Sequence, residues 1–129
     1  MAQTQEKLEK YPVDEVDAKL KEHGLDDWYY EDGWIRRKFN TDGWPTTLML
    51  VNAVGYLCEA AYHHADLSVT WGKLWVKLCT HSSGGITDKD FALARKIEDV
   101  VQWQPGKEGA GLEGTPNSDQ RFAYIKYDD

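Results

Sequence analysis

The chain has 129 residues, enough for one domain with a single hydrophobic core. Its apolar share of 41% and charged share of 29% are ordinary for a globular protein and exclude a disordered chain. Asp and Glu outnumber Lys and Arg by 22 to 15, and the resulting net charge of −7 repels phosphate backbones and anionic lipids at long range. We therefore expect no nucleic acid and no membrane as partners.

The amino-terminal residues and the cysteines indicate the compartment. The start MAQTQEKLEK lacks the apolar stretch of a signal peptide, and no window reaches the roughly 18 apolar residues of a membrane span. Cys58 lies in a helical pattern and Cys79 in a strand pattern, without a CxxC pair. We expect a cytoplasmic protein whose two cysteines are buried free thiols rather than a disulfide or a metal pair.

A short amphipathic helix follows a polar start. Residues 1–12 are expected to be disordered or frayed, so the domain is predicted to begin at residue 13. Val13, Val16 and Leu20 recur at helical spacing. Gly24 then closes the helix, because glycine readily adopts the left-handed conformation that ends many helices.

Two β-hairpins are predicted, one on each side of a central helix. The first covers residues 28–40, where aromatic and β-branched residues flank the turn Glu31-Asp32-Gly33. Its basic run Arg36-Arg37-Lys38 is interpreted as a solvated strand face rather than a phosphate site. The second hairpin covers residues 67–79, where apolar and polar residues alternate around a break at Gly72-Lys73.

The central helix is predicted over residues 46–62, with Pro45 tolerated in its first turn. Apolar residues recur on it every three or four positions and predict an inward stripe: Leu48, Val51, Val54, Gly55, Cys58, Ala61 and Tyr62.

The third helix has the clearest start. Thr87 is the expected N-cap, Asp90 completes a capping box, and Ile86 and Phe91 form a hydrophobic staple. The residues expected to point inward are Ile97, Val100 and Val101. Residues 104–129 are interpreted as a Gly-rich linker and an additional strand at 122–127. The order of elements predicts an α+β domain with an antiparallel sheet covered on one face.

Three of the four histidines fall at the ends of elements. His63 and His64 end the central helix, and His81 ends the second hairpin. Glu59 lies four residues before His63, so a continuous helix would place it on the same face to orient the imidazole. Taken singly each is an ordinary surface residue, as we interpret His23, but the combination predicts a site.

Three imidazoles and a carboxylate could also bind zinc or iron, which is an alternative reading of the same cluster. Adjacent histidines on a helix diverge by about 100° and seldom share one ion. We therefore expect no metal at His63 and His64.

The sequence resembles the pterin-4a-carbinolamine dehydratases, also known as dimerisation cofactors of a homeodomain transcription factor. The resemblance covers residues 13–103 and rests on five motifs: Glu59-x-x-x-His63-His64, Trp71-Gly72-Lys73, Thr80-His81, Gly85-Ile86-Thr87-x-x-Asp90 and Leu93-Ala94. The family usually has proline and then an acidic residue after the histidine pair, where this chain has Ala65 and Asp66.

The resemblance implies a four-stranded antiparallel sheet with three helices on one face, assembled into homodimers or homotetramers. It also implies dehydration of 4a-hydroxytetrahydropterin to quinonoid dihydropterin in tetrahydrobiopterin recycling, without a metal or organic cofactor. The alternative is a catalytically weak relative that acts as a protein-binding or assembly factor. The histidine pattern favours catalysis, while the extension after Gln104 keeps the alternative open.

Carried over residue by residue, the resemblance implies that His63 and His81 are the acid–base pair. His64 is expected to bind and polarise the pterin, and Glu59 and Asp90 are the supporting carboxylates. The expected substrate-binding residues are His64, Asp66 and Thr80. Imidazole, with an ordinary pKa of about 6.5, can act as acid or base at neutral pH, so the sequence leaves the two roles open.

Overall fold

The protein is described by a computed structural model over residues 8–115. In chain order its helices and strands are α1 (Val13–Glu22), β1 (Tyr29–Glu31), β2 (Trp34–Asn40), α2 (Trp44–Ala61), β3 (Asp66–Thr70), β4 (Lys73–Leu78) and α3 (Asp88–Val101), with short 3₁₀ helices at His81–Ser83 and Pro105–Lys107. The predicted strand at 122–127 lies outside the described residues.

The four strands form one antiparallel sheet in the order β1-β2-β4-β3. On β4, Leu74, Val76 and Leu78 are completely buried, while the alternate residues of the strand are partly or fully exposed. This alternation is expected of a sheet that has helices on one face and solvent on the other. The predicted α+β fold is therefore confirmed, with four strands and three α-helices among residues 8–115.

The predicted solvated face of the basic run is wrong for Arg37. Arg36 and Lys38 point to the open face of the sheet, but Arg37 alternates with them and is only 6% exposed. Its Nε lies 2.5 Å from Glu98 Oε1 on α3, and Glu98 also accepts a hydrogen bond from Trp28 Nε1. Successive residues of a strand point to opposite faces, so one residue of the basic run must point to the helices. The buried Glu98 carboxylate on α3 compensates for burying the charge of Arg37.

The predicted inward stripe of α2 is rotated from the observed one. Val54 and Cys58 are buried as predicted, but Leu48 is 39% exposed and Tyr62 is 72% exposed. Thr47 and Leu50, which were not predicted, are buried. The helix is apolar around most of its circumference, so spacing alone does not identify the face that packs on the sheet. The Thr47 hydroxyl lies within hydrogen-bonding distance of the carbonyl oxygens of Gly43 and Trp71, and this compensates for burying it.

The start of α3 is as predicted. Thr87 Oγ1 accepts a hydrogen bond from the Lys89 N–H, and the Thr87 N–H donates to the Asp90 carboxylate, which completes the capping box. Ile97 and Val101 are buried, but Val100 is exposed, contrary to expectation. Successive helical residues lie about 100° apart, and Val101 points to the buried face of α3, which leaves Val100 at the margin of that face.

The residues before α1 pack against the loop that precedes α3. The Tyr11 N–H donates to the Ile86 carbonyl oxygen, and the Ser83 hydroxyl donates to the Leu8 carbonyl oxygen. Residues 8–12 are thus held by the body of the domain rather than frayed. None of the helices within residues 8–115 is long and apolar enough to cross a membrane.

Candidate active site

The end of α2 positions His63. Tyr62 adopts a left-handed conformation with φ of 51°, and the N–H groups of Tyr62 and His63 bond the carbonyl oxygens of Glu59 and Cys58. This pattern is a Schellman motif, usually made by glycine. A tyrosine there carries backbone strain, which often accompanies functional positions. The chain turns sharply at this point and directs His63 toward α3.

The His63 ring is held by Asp90. Its Nε2 lies 2.6 Å from Asp90 Oδ1, although the two residues are 27 positions apart. Asp90 is completely buried, and its Oδ2 accepts hydrogen bonds from the Thr80 hydroxyl and the Thr87 N–H. The same carboxylate therefore caps α3 with one oxygen and orients His63 with the other.

Glu59 does not contact His63, contrary to the expectation from spacing. Its Oε1 lies 2.7 Å from His64 Nε2, and both side chains are largely exposed. The i,i+4 rule applies only within a continuous helix, and α2 ends at Ala61, before His63. The structure thus pairs each adjacent histidine with a different carboxylate.

His81 begins the 3₁₀ turn that follows β4. Within residues 8–115 no carboxylate contacts its ring nitrogens, which lie 3.8 and 3.9 Å from Cys79 Sγ. Its ring meets the Trp34 ring edge to face, with 5.6 Å between centroids. His81 is exposed and differs in this way from the half-buried His63.

These residues border one depression with a volume of about 390 Å³. Its lining comprises Tyr62, His63, His64, Ala65, Asp66, Cys79, Thr80, His81, Ser82 and Lys89. The structure thus brings together the three histidines of the predicted site. Asp66 is exposed at this depression, whereas the hydroxyl of the buried Thr80 bonds Asp90, so Thr80 supports the site from beneath.

Sequence reasoning missed the roles of Tyr62, Cys79 and Lys89 as lining residues. Burial raises the pKa of the Cys79 thiol, and the negative charges of Asp90 and Asp66 raise it further. Cys79 is a free thiol, as is the buried Cys58 of α2. The position of Cys79, two residues before His81, was the only signal in the sequence that could have indicated its place in the site.

Imidazole and carboxylate groups, which are common zinc ligands, lie around this depression. Among residues 8–115 no group of three or more His, Cys, Asp or Glu side chains is arranged to bind a metal ion. His63 and His64 each direct Nε2 to a different carboxylate, so these two atoms do not converge on one point.

Comparisons with known proteins agree with this geometry. A protein of Aquifex aeolicus (strain VF5) with the provisional name pterin-4-alpha-carbinolamine dehydratase is 40% identical over 90 residues, which cover 70% of this chain and 91% of the relative. A similarly named protein of Roseiflexus castenholzii is 37% identical over 87 residues, covering 66% of this chain and 94% of the relative.

A solved structure has the same fold. It is described as a transcriptional coactivator/pterin dehydratase from Brucella melitensis, and it matches with a TM-score of 0.64 and 26% identity over 70% of this chain and 97% of that chain. The family model for pterin 4 alpha carbinolamine dehydratase matches residues 9–100. With most of the chain covered and the histidine pocket formed, the chain belongs to the pterin-4a-carbinolamine dehydratase family.

Proposed function

We propose that the protein dehydrates 4a-hydroxytetrahydropterin to quinonoid dihydropterin by histidine acid–base catalysis, as a step in tetrahydrobiopterin recycling. The observation that carries the proposal is the depression that three histidines border, one of them held by the buried Asp90. Membership of the dehydratase family supports the same reaction.

The reaction needs one proton donor and one proton acceptor. The acid protonates the hydroxyl oxygen on C4a, and the C4a–O bond breaks to release water. The N5 lone pair forms the C4a=N5 double bond, and the base takes the N5 proton. Hydroxide is a poor leaving group, so a positioned acid should accelerate this step.

His63 is assigned as the base. Asp90 Oδ2 already accepts two hydrogen bonds, and Oδ1 then accepts the Nε2–H of His63. This tautomer leaves the lone pair on Nδ1, the nitrogen free to take a proton. A carboxylate behind an imidazole fixes its tautomer and provides the counter-charge once the ring is protonated.

His81 is assigned as the acid. Within the described chain its ring nitrogens have no carboxylate partner, so either nitrogen is free to present a proton to the substrate oxygen. His64 and Asp66 line the same depression and are assigned to bind the polar edges of the pterin ring. Glu59 holds His64 through the 2.7 Å contact.

The decisive experiment is a stopped-flow dehydration assay with synthetic 4a-hydroxytetrahydropterin. The wild-type protein should accelerate the reaction above the buffer rate. His81→Ala should be slower by about 10²-fold or more, since a positioned acid–base group typically contributes 10² to 10⁴.

His23→Ala is the matched control, because His23 stacks on Phe91 with 5.1 Å between centroids and does not line the depression. It should keep its activity. No acceleration by the wild-type protein would contradict the proposal and support the alternative of a protein-binding or assembly factor. Equal losses in the two variants would contradict the role of His81.

A further inference from the structure

His81 lacks the kind of support that the other two histidines of the depression have. Asp90 holds His63 and Glu59 holds His64, each through Nε2. The described chain offers His81 no carboxylate, and the Cys79 thiol sulfur lies 3.8 Å from its Nδ1. A group that exchanges protons with substrate still needs a fixed orientation, because small displacements of a catalytic group are costly.

An aromatic ring supplies a contact that can fix this orientation. The Trp34 and His81 rings lie 5.6 Å apart with an interplanar angle of 81°. Edge-to-face aromatic pairs prefer centroid distances of about 4.5–7 Å, so this geometry is favourable. The contact joins the first residue of β2 to the loop after β4, which are 47 positions apart in the chain.

Two features of the fold fix the position of the Trp34 ring. It follows the two-residue turn of Asp32 and Gly33, which have φ of 48° and 90°, as hairpin turns with two positive φ angles require. The Lys77 ammonium of β4 lies 4.8 Å from the Trp34 ring centroid. A hairpin turn and a cation–π contact thus fix the ring that meets His81.

We propose that Trp34 is a positioning residue for His81, holding the imidazole in the orientation in which it donates a proton into the depression. The inference rests on the proposed function for the proton transfer. The positioning itself is a statement about ring geometry, so it can be measured without an activity assay.

The kinetic test uses Trp34→Leu and Trp34→Phe. Trp34→Leu should lower kcat by about 10- to 100-fold through misplacement of His81, with KM changed by less than about 2-fold. Trp34→Phe keeps an aromatic ring and should recover most of the loss. Loss of kcat alone separates positioning of His81 from direct stacking of Trp34 on substrate, which would raise KM.

Trp75→Leu is the matched control. Trp75 lies on the same open face, on β4, and the Lys38 ammonium lies 5.3 Å from its ring centroid, much as Lys77 approaches Trp34. Within residues 8–115 its ring makes no ring-to-ring contact with a histidine. Trp75→Leu should leave kcat unchanged, and a loss equal to that of Trp34→Leu would overturn the proposal.

A double variant tests whether Trp34 acts through His81. Trp34→Leu in the His81→Ala background should cause little further loss, because the group that it positions is already absent. Independent, additive losses would overturn the inference.

Histidine NMR separates this inference from the proposed function. The carbon-bound ring protons of His81 should shift in Trp34→Leu, which removes the indole ring current, and should not shift in Trp75→Leu. That result in a protein without dehydratase activity would sink the proposed function and keep the positioning. Unchanged His81 resonances in Trp34→Leu, or a raised KM with normal kcat in an active enzyme, would overturn the positioning.

Discussion

The two carboxylate oxygens of Asp90 have different roles. One caps α3 and stabilises the fold, and the other orients His63 in the candidate site. Oδ2 receives the Thr87 N–H and the Thr80 hydroxyl, while Oδ1 faces His63 Nε2. In Asp90→Asn the amide nitrogen must replace one of these acceptors. In the place of Oδ2 it would meet two donors, so we expect it to face His63, whose tautomer would then have to change.

We therefore expect Asp90→Asn to lower the dehydration rate by roughly 10²- to 10⁴-fold, because the His63 base would carry its proton on the wrong nitrogen. Its stability should fall by only about 1 kcal/mol, the usual value of a helix cap. Stopped-flow assays and urea unfolding measure the two effects separately. A stability loss without a rate loss would contradict the role given to Asp90.

Glu59→Gln is the comparison for Asp90→Asn. The Glu59 side chain is 78% exposed, and exposed ion pairs contribute about 0–1 kcal/mol because water screens them. The rate should fall by no more than a few-fold, roughly the factor that corresponds to such a pair. Equal rate losses in Glu59→Gln and Asp90→Asn would show that burial of the carboxylate does not determine its effect on the dehydration rate.

The Cys79 thiol gives a prediction about pH. Burial and nearby negative charges raise its pKa, so less thiolate is present at neutral pH than in an ordinary cysteine. Alkylation by iodoacetamide should be slow at pH 7 and should accelerate at a higher pH than in a model thiol. Mass spectrometry should find Cys79 modified before the buried Cys58. Rapid alkylation of Cys79 at pH 7 would contradict its raised pKa.

At the scale of single residues, the sequence indicated which histidines cluster, but it predicted His63 as the partner of Glu59, whereas the partner is His64. The prediction for Glu59 relied on helical spacing, and Tyr62 leaves the helix before His63 is reached. A tyrosine in the left-handed conformation has no sequence signal, because glycine adopts it routinely and asparagine or aspartate only occasionally. The contact between Trp34 and His81 was equally hidden, since it depends on how two hairpins meet.

At the scale of elements, the capping box at the amino terminus of α3 also contacts Thr80, which lies at the candidate site. Thr87 Oγ1 accepts from the Lys89 N–H and lies 2.8 Å from Thr80 Oγ1. Thr87→Ala should lower the free energy of unfolding by about 0.5–2 kcal/mol, the usual range for a lost cap. Thermal unfolding should detect this as a lower Tm, by roughly 4 °C per kcal/mol for a domain of this size.

Thr70→Ala is the control for Thr87→Ala. Thr70 is exposed at the end of β3, and its hydroxyl makes a single 3.3 Å hydrogen bond to the Lys73 carbonyl oxygen. The free energy of unfolding of Thr70→Ala should stay within about 0.5 kcal/mol of the wild-type value, as for most surface substitutions. If both variants lose the same stability, the capping box contributes nothing beyond an ordinary surface hydroxyl.

Elements with strong local signals were predicted closely, and an element without them was not. The start of α3 follows from Thr87 and Asp90 alone, and the turn of the first hairpin follows from Asp32-Gly33. The buried face of α2 was predicted only in part: Val54 and Cys58 lie on it and Leu48 does not. Apolar residues surround this helix, and tertiary packing decides which of them meet the sheet.

At the scale of the whole molecule, the helices and the sheet are joined through a buried polar cluster that the sequence did not reveal. Arg37 of β2 bonds Glu98 of α3, and Trp28, just before β1, donates to the same carboxylate. The three residues are separated by up to 70 positions, so no local pattern could have paired them. The arginine was therefore assigned to the solvated face with its neighbours.

This cluster gives a prediction about coupling across the fold. Arg37→Met should destabilise the protein by about 3–5 kcal/mol, because it leaves the Glu98 charge buried without its partner. Adding Glu98→Leu should recover part of that loss, since a buried ion pair is often replaced by apolar residues at little cost. The recovery should be incomplete, because Trp28 Nε1 also loses its acceptor, at about 1 kcal/mol.

Arg36→Met is the matched control on the same strand. Arg36 points to the open face of the sheet, where its side chain is 22% exposed and its Nε lies 3.9 Å from Glu31 Oε2. A pair this long in contact with solvent should contribute no more than about 1 kcal/mol. Urea unfolding of the wild type, Arg37→Met, Glu98→Leu and the double variant measures the coupling energy between Arg37 and Glu98 directly. Additive losses for Arg37→Met and Glu98→Leu would show that each residue stabilises the core independently, and the cluster would then not couple α3 to the sheet.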